Sequence, residues 1–224
     1  SLYCVSFFTS YTPFHTASKH LDGKAVLDAI EVQQGILVER AENVYSFSHL
    51  TIQEFLTAQY IEDDQQQLDK LIVNHLVNDR WREVFLLVAG LKRSADKLLL
   101  TIEKQARTYI KGAKIKACFQ EINNGASTMK GAYNHAAKRA LFAYYIFDSS
   151  AALELARSLD SNLAHELSSS VSPHYDAEHT RNHELQDLMQ YLTATLVMVK
   201  CKQSAIRVSK EVWTKIEERI LAIN

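Results

Sequence analysis

Along most of the chain, apolar side chains recur every three or four residues, the period of an amphipathic helix, and one stretch departs from it. In residues 24–34, Ala25, Val26, Ala29, Ile30 and Gln33 keep helical spacing, and Gly35 stands where a helix terminator belongs. The period then changes. Residues 36–40 and 44–48 are short runs rich in β-branched and aromatic side chains. Ala41-Glu42-Asn43 between them has hairpin-loop length, with Asn43 able to take positive φ. The pattern predicts one β-hairpin and no other convincing β-structure.

The helix after the hairpin is well signposted. Thr51 as N-cap puts Glu54 at the third helical position, the arrangement of a capping box, and sets Leu50 and Phe55 as a hydrophobic staple. Ile52, Phe55, Leu56 and Tyr60 share one face, which is expected to pack on the hairpin. Helix, two-stranded wing and helix in succession make the tail of a winged-helix fold. Residues 1–22 are harder to read: Thr12-Pro13 breaks any helix, and the segment reads as loop or one poorly formed helix.

Beyond Asp63 the chain reads as helical throughout. Leu68, Leu71, Ile72, His75 and Leu76 form one stripe. Asp79 is placed to cap a helix carrying Trp81, Val84, Phe85 and Val88, a stripe that reads as core. Helices over 98–110 and 115–122 follow, separated near Gly112. Asn123-Asn124-Gly125-Ala126-Ser127 reads as the best internal break. Further helices are predicted near 129–147, 150–168, 183–202 and 209–222, with Ala151–Ala156 and Leu163–Leu167 as successive short units and a polar loop from Ser168 to Asn182. No repeat of fixed period marks a solenoid. The fold class is therefore mainly α: a winged-helix remnant over 1–63, a helical linker subdomain over 64–125, and a C-terminal helical sensor or scaffold subdomain over 126–224. Stacked antiparallel helix pairs are the natural way to bury these faces.

Composition narrows the function. Two prolines and six glycines in 224 residues fit a mostly helical protein. A net charge of −1 argues against nucleic acid or an anionic membrane as the main partner. Cys4, Cys118 and Cys201 are odd in number and widely spaced, which suits a reducing, cytoplasmic setting better than a disulfide framework. No apolar run approaches the roughly 18–20 residues that span a bilayer. The opening SLYCVSFFTSY has neither a basic leader nor a small-residue cleavage site.

The segment from Tyr45 to Ala58, YSFSHLTIQEFLTA, resembles the F-x-H-x-S/T-x-Q-E-F/Y-x-A signature that closes the winged-helix domain of NACHT proteins, the signalling NTPases of the STAND class. Residues 25–30 and 35–40 fit the same pattern, and residues 79–87 look like the helical segment that often follows it in bacterial members. The strong likeness covers residues 24–92. Residues 140–167 and 208–222 resemble the helical C-terminal region of these proteins more weakly, and residues 1–22 do not look like the family's usual first helix.

The resemblance implies a nucleotide switch. Such proteins hold ADP between a P-loop domain and the winged-helix domain, and they oligomerise when ATP with Mg replaces it. In several members the histidine of this motif contacts the nucleotide β-phosphate, a role that maps onto His49. Just outside a helix N-terminus, His49 would meet the end of the helix dipole that favours an anion. The sequence holds no G-x-x-x-x-G-K-S/T segment, so the chain by itself is expected to take no cofactor, bind nucleotide poorly and catalyse nothing.

Other polar groups read as structural. Glu54 and Gln53 belong with helix capping. His174, His179 and His183, with Asp176 and Glu178, spread over the polar loop and read as solvated rather than metal-binding. Lys111, Lys114, Lys116 and Arg107 read as a solvated helix–turn–helix face before an anion patch. The three cysteines read as buried or inert.

The leading expectation is a non-catalytic regulatory and sensor region of a NACHT-type NTPase in signalling or antiviral defence. Its partners would be the NTPase domain of the same polypeptide and an unidentified sensed ligand or protein, with oligomerisation in the active full-length state. One rival is a stand-alone helical interaction scaffold. Another is a winged-helix DNA-binding protein, disfavoured because the 24–34 helix offers Lys24 as its single cation.

Overall fold

The computed structural model describes residues 35–42, 44–110, 113–163 and 183–222. The helix expected over 24–34, residues 1–22, Cys4 and the loop of 168–182 lie outside them. The chain divides into two compact units, Ser1–Thr57 and Ala58–Asn224.

In the first unit, β1 (Leu37–Ala41) and β2 (Val44–Phe47) form the expected antiparallel hairpin, pairing Leu37 with Phe47 and Glu39 with Tyr45. The register slips between Glu39 and Ala41, a bulge that tightens the twist near the turn. Gly35 enters the hairpin at φ +59, a left-handed backbone that glycine adopts without a Cβ penalty. Helix α1 (Leu50–Asp63) follows directly.

The expected packing of α1 needs correction. Phe55 and Leu50 are exposed, so no staple shields them, and the buried positions of α1 are Ala58 and Ile61, which join the core of the second unit together with Tyr60. The cap is shifted as well. Leu50 is already helical, so His49 rather than Thr51 holds the N-cap position, and the Gln53 N–H reaches the His49 carbonyl at 3.4 Å. Glu54 is therefore not the third residue after a Thr51 cap.

The second unit consists, among the described residues, of the end of α1 and helices α2 (Gln65–His75), α3 (Arg82–Leu91), α4 (Asp96–Ala106), α5 (Ala113–Thr128), α6 (His135–Phe147), α7 (Ser150–Leu159), α8 (His183–Ser204) and α9 (Lys210–Arg219). Their starts follow from short polar side chains. Asp64 accepts from the N–H groups of Gln66 and Gln67, Asn134 from Ala136 and Ala137, and Ser149 from Ala152. Asn78, and not Asp79 as expected, caps the 3-10 turn Asp79–Trp81 that leads into α3. Asp148 ends α6 in the left-handed conformation, φ 47, and the next residue already caps α7, so α6 and α7 fold back on each other as a helix pair.

The predicted break at 123–127 is overturned locally: α5 runs through it without interruption. Tertiary contacts explain this. The Asn123 amide donates to the carbonyls of Phe119 and Leu221, at 2.6 and 2.8 Å, so a residue that often marks a turn is satisfied inside a helix. Gly125 lies directly beneath the Phe142 ring, which would occupy the place of a Cβ. The chain turns instead at residues 129–134, before α6.

Helix α8 is the axis of this unit, packing against α3, α4, α5 and α7. Leu188, Tyr191, Leu192, Ala194, Leu196, Val197, Met198, Val199 and Cys201 are all buried, leaving it apolar on almost every side. Each Leu, Val or Met so buried contributes about 1.5–3 kcal/mol relative to exposure. The Thr195 hydroxyl is also buried and donates back to the Tyr191 carbonyl at 2.7 Å. No helix among the described residues is long and apolar enough to cross a membrane.

Candidate functional site

His49 follows β2 by two residues and precedes the first helical residue of α1. Backbone pairing fixes the approach: the Ser48 N–H donates to the Ile36 carbonyl at 2.9 Å, extending the hairpin ladder to the residue before His49. Arg40 Nε donates across the hairpin to Ser46 Oγ at 2.9 Å. The His49 side chain is exposed at the end of α1, where the first N–H groups lack intrahelical acceptors and the helix dipole is positive. Beside it the Ser48 hydroxyl is buried with no hydrogen-bond partner among the described residues. An exposed imidazole and open backbone donors at a helix N-terminus are suited to an anion. Gln53 and Glu54, set aside as structural in the sequence, lie farther into α1, and the Gln53 carbonyl accepts from the Thr57 hydroxyl at 2.7 Å.

Among the described residues no group of three or more His, Cys, Asp or Glu could hold a metal ion. His174, Asp176, Glu178 and His179 lie outside those residues, and for His183 only the helical backbone is described. Lys111 and the Lys114 side chain are outside them too. Lys116 is exposed, whereas Arg107 turns inward and pairs with Glu103 at 3.2 Å. Trp81 stacks on His75, ring centroids 4.3 Å apart, and Phe85 and Val88 are fully buried, so this stripe is core. Partial burial lowers the pKa of His75.

Two polar constellations had no sequence signal. The first gathers around the end of α9. Glu103 accepts from Arg107 and from Arg219, the latter at 2.7 Å. Arg139 donates to the carbonyls of Glu217, Glu218 and Ile220, and the Tyr191 hydroxyl accepts the Leu221 N–H at 3.1 Å. Cationic side chains on the last carbonyls satisfy a helix C-terminus and oppose its dipole. These contacts hold Leu221 at φ +53, an uncommon conformation for a residue with a Cβ. The second places Glu154 between Lys200 at 2.7 Å and Arg82 at 3.0 Å, beside a cleft of about 230 Å³ that Asp79 and Thr193 also line. Partners up to 116 residues apart in sequence leave no local pattern to read.

Comparison with known families bears on both units. Residues 7–61 match the family model described as the winged helix-turn-helix domain C-terminal to NACHT. Residues 148–223 match NACHT C-terminal Helical domain 2, a span that begins inside the weakly resembling stretch 140–167, runs through the region after it and contains the stretch 208–222. No curated protein and no solved structure matches the chain. The hairpin and His49 fall inside the first match, and α7, α8 and α9 inside the second. Two segments that both lie C-terminal to NACHT, in order along one chain, make this protein a C-terminal part of a NACHT-type protein.

Proposed function

We propose that this chain is the regulatory and sensor region of a NACHT-type NTPase, with His49 as its contact to bound ADP. In this reading the hairpin and the start of α1 close over the nucleotide held by the NTPase domain of the same polypeptide. The helical unit carries the sensed ligand or protein and passes its binding to the switch, in signalling or antiviral defence. ATP with Mg would displace ADP, open the clamp and allow oligomerisation. Residues 1–63 would form the clamp, and the helices after it would link it to the sensor.

The observation that carries this reading is the place of His49, exposed at the N-cap position of α1 within the segment matched to the NACHT-associated winged helix. A phosphate there would accept from the imidazole and from backbone N–H groups at the positive end of the helix. The chain contributes one wall of such a site and has no G-x-x-x-x-G-K-S/T loop to cradle the phosphates.

The test is His49→Ala in the full-length parent protein. ADP dissociation should accelerate by about tenfold or more, the loss of one charge-assisted hydrogen bond, with oligomers forming before any stimulus. An unchanged ADP off-rate together with an unchanged oligomeric state would refute the clamp and favour a helical interaction scaffold with no nucleotide role.

A further inference from the structure

A second cleft, of about 200 Å³, lies between α5 and α6 and is lined by Asn123, Ala126, Ser127, His135, Lys138 and Arg139. Three of these six carry cationic or protonatable groups, and none is a carboxylate. Lys138 is the unusual one: it is only 6 % exposed, and among the described residues no carboxylate pairs with it. Its ammonium donates to the carbonyls of Met129 and Gly131 at 2.9 and 2.7 Å and lies 5.9 Å from the Tyr133 ring centre. An ammonium has three N–H donors, so two carbonyls leave one unused, and a buried cation held only by neutral dipoles lacks full compensation.

Arg139 is arranged in the same way. Its Nε and one terminal nitrogen are committed to the three carbonyls at the end of α9, which fixes the guanidinium plane and leaves the other terminal nitrogen without a contact of this kind among the described residues. The nearby acid, Glu217, has its carboxylate engaged by the Trp213 indole at 3.1 Å and is not on the cleft wall. His135 stands exposed at the mouth, on the first residue of α6. Asn123 and Ser127 spend their side-chain donors on backbone carbonyls, which leaves His135, Lys138 and Arg139 as the lining residues with donors to spare.

We propose that this cleft is a binding site for a phosphate-type oxyanion, held by Lys138 and Arg139 with His135 at its mouth. The two cations are positioned in advance by backbone carbonyls, so a tetrahedral dianion meets oriented donors and supplies the missing counter-charge. The volume is below the roughly 300 Å³ at which drug-sized pockets begin, so it suits a phosphoryl group and few further atoms. Free phosphate and the phosphate of a small ester share this chemistry.

The experiment is calorimetric titration of the whole chain with inorganic phosphate and, separately, with AMP, paired with thermal melts at each concentration. Saturable binding with a rising melting temperature is expected. Tighter binding of AMP than of phosphate assigns the site to an ester, and the reverse order to the free ion. Ser127→Asp puts a carboxylate at the cleft from an exposed helical position and should weaken binding about tenfold or more. His135→Ala should weaken it by a smaller factor, and Arg139→Gln should abolish it. Because Arg139 also caps α9, the Ser127 and His135 variants carry the test if Arg139→Gln fails to fold. No saturable binding of either probe at millimolar concentration, or binding that Ser127→Asp leaves unchanged, overturns the proposal.

Discussion

The Glu154 carboxylate takes a 2.7 Å hydrogen bond from Lys200, the largest cause of its lowered pKa, and Arg82 adds a second favourable charge while partial burial opposes both. Asp96 is lowered too, chiefly by the hydrogen bond it accepts from the Ser209 N–H. A carboxylate whose folded pKa lies below its unfolded value stabilises the fold above the ordinary carboxylate range. That contribution disappears as the pH falls through this range toward the folded value. Glu154→Gln removes the titrating group, so wild type should exceed this variant in urea midpoint at neutral pH and lose its lead on acidification. With the side chain 41 % exposed, the lead should stay within about 1 kcal/mol. Parallel acid limbs in the two proteins would show that Glu154 carries no such linkage. His49 was legible at this scale because a motif surrounds it, but its cap position was not. A Thr cap contributes only about 1 kcal/mol, less than the hairpin ladder ending at Ser48 can override when it fixes where the chain enters α1.

At the level of elements, Gly125 shows how a sequence signal acquires the opposite meaning in context. Glycine beside two asparagines reads as a break, and an exposed helical glycine replaced by alanine gains about 1 kcal/mol from propensity. Here the Phe142 ring of α6 lies where the Cβ would go, so Gly125 is a close-packing point between α5 and α6. Gly125→Ala should therefore destabilise, by about 1–3 kcal/mol for overpacking. Phe142→Leu in the same chain should recover part of that loss, which a double-mutant cycle of urea melts measures. A neutral or stabilising Gly125→Ala would mean that the helices separate at no cost. Helix periodicity is written in the sequence more firmly than helix ends are. The predicted 183–202 and 209–222 helices overlap α8 and α9 closely because their apolar stripes are long, whereas the ends depend on single caps such as Asn78 and Asn134.

For the molecule as a whole, the sequence revealed the hairpin followed by helices but not which helix the others surround. The spacing of apolar residues along α8 identifies it as helical, while its burial and its contacts with α3, α4, α5 and α7 depend on pairings that no local pattern encodes. Cys201, near the end of that axis, reports on how cooperative the packing is. It is fully buried, and burial pushes its thiol well above the usual range, so the reactive thiolate is scarce in the folded state. Exposing it requires α8 to leave several neighbours at once. In a variant with Cys4 and Cys118 replaced by Ser, iodoacetamide should modify Cys201 only as the helical circular dichroism is lost, with the same urea midpoint. Modification at clearly lower urea would reveal an opening of α8 that precedes global unfolding. The helical unit would then hold a separable layer within the segment matched to the NACHT C-terminal helical domain, and a signal could pass through that layer without unfolding the rest.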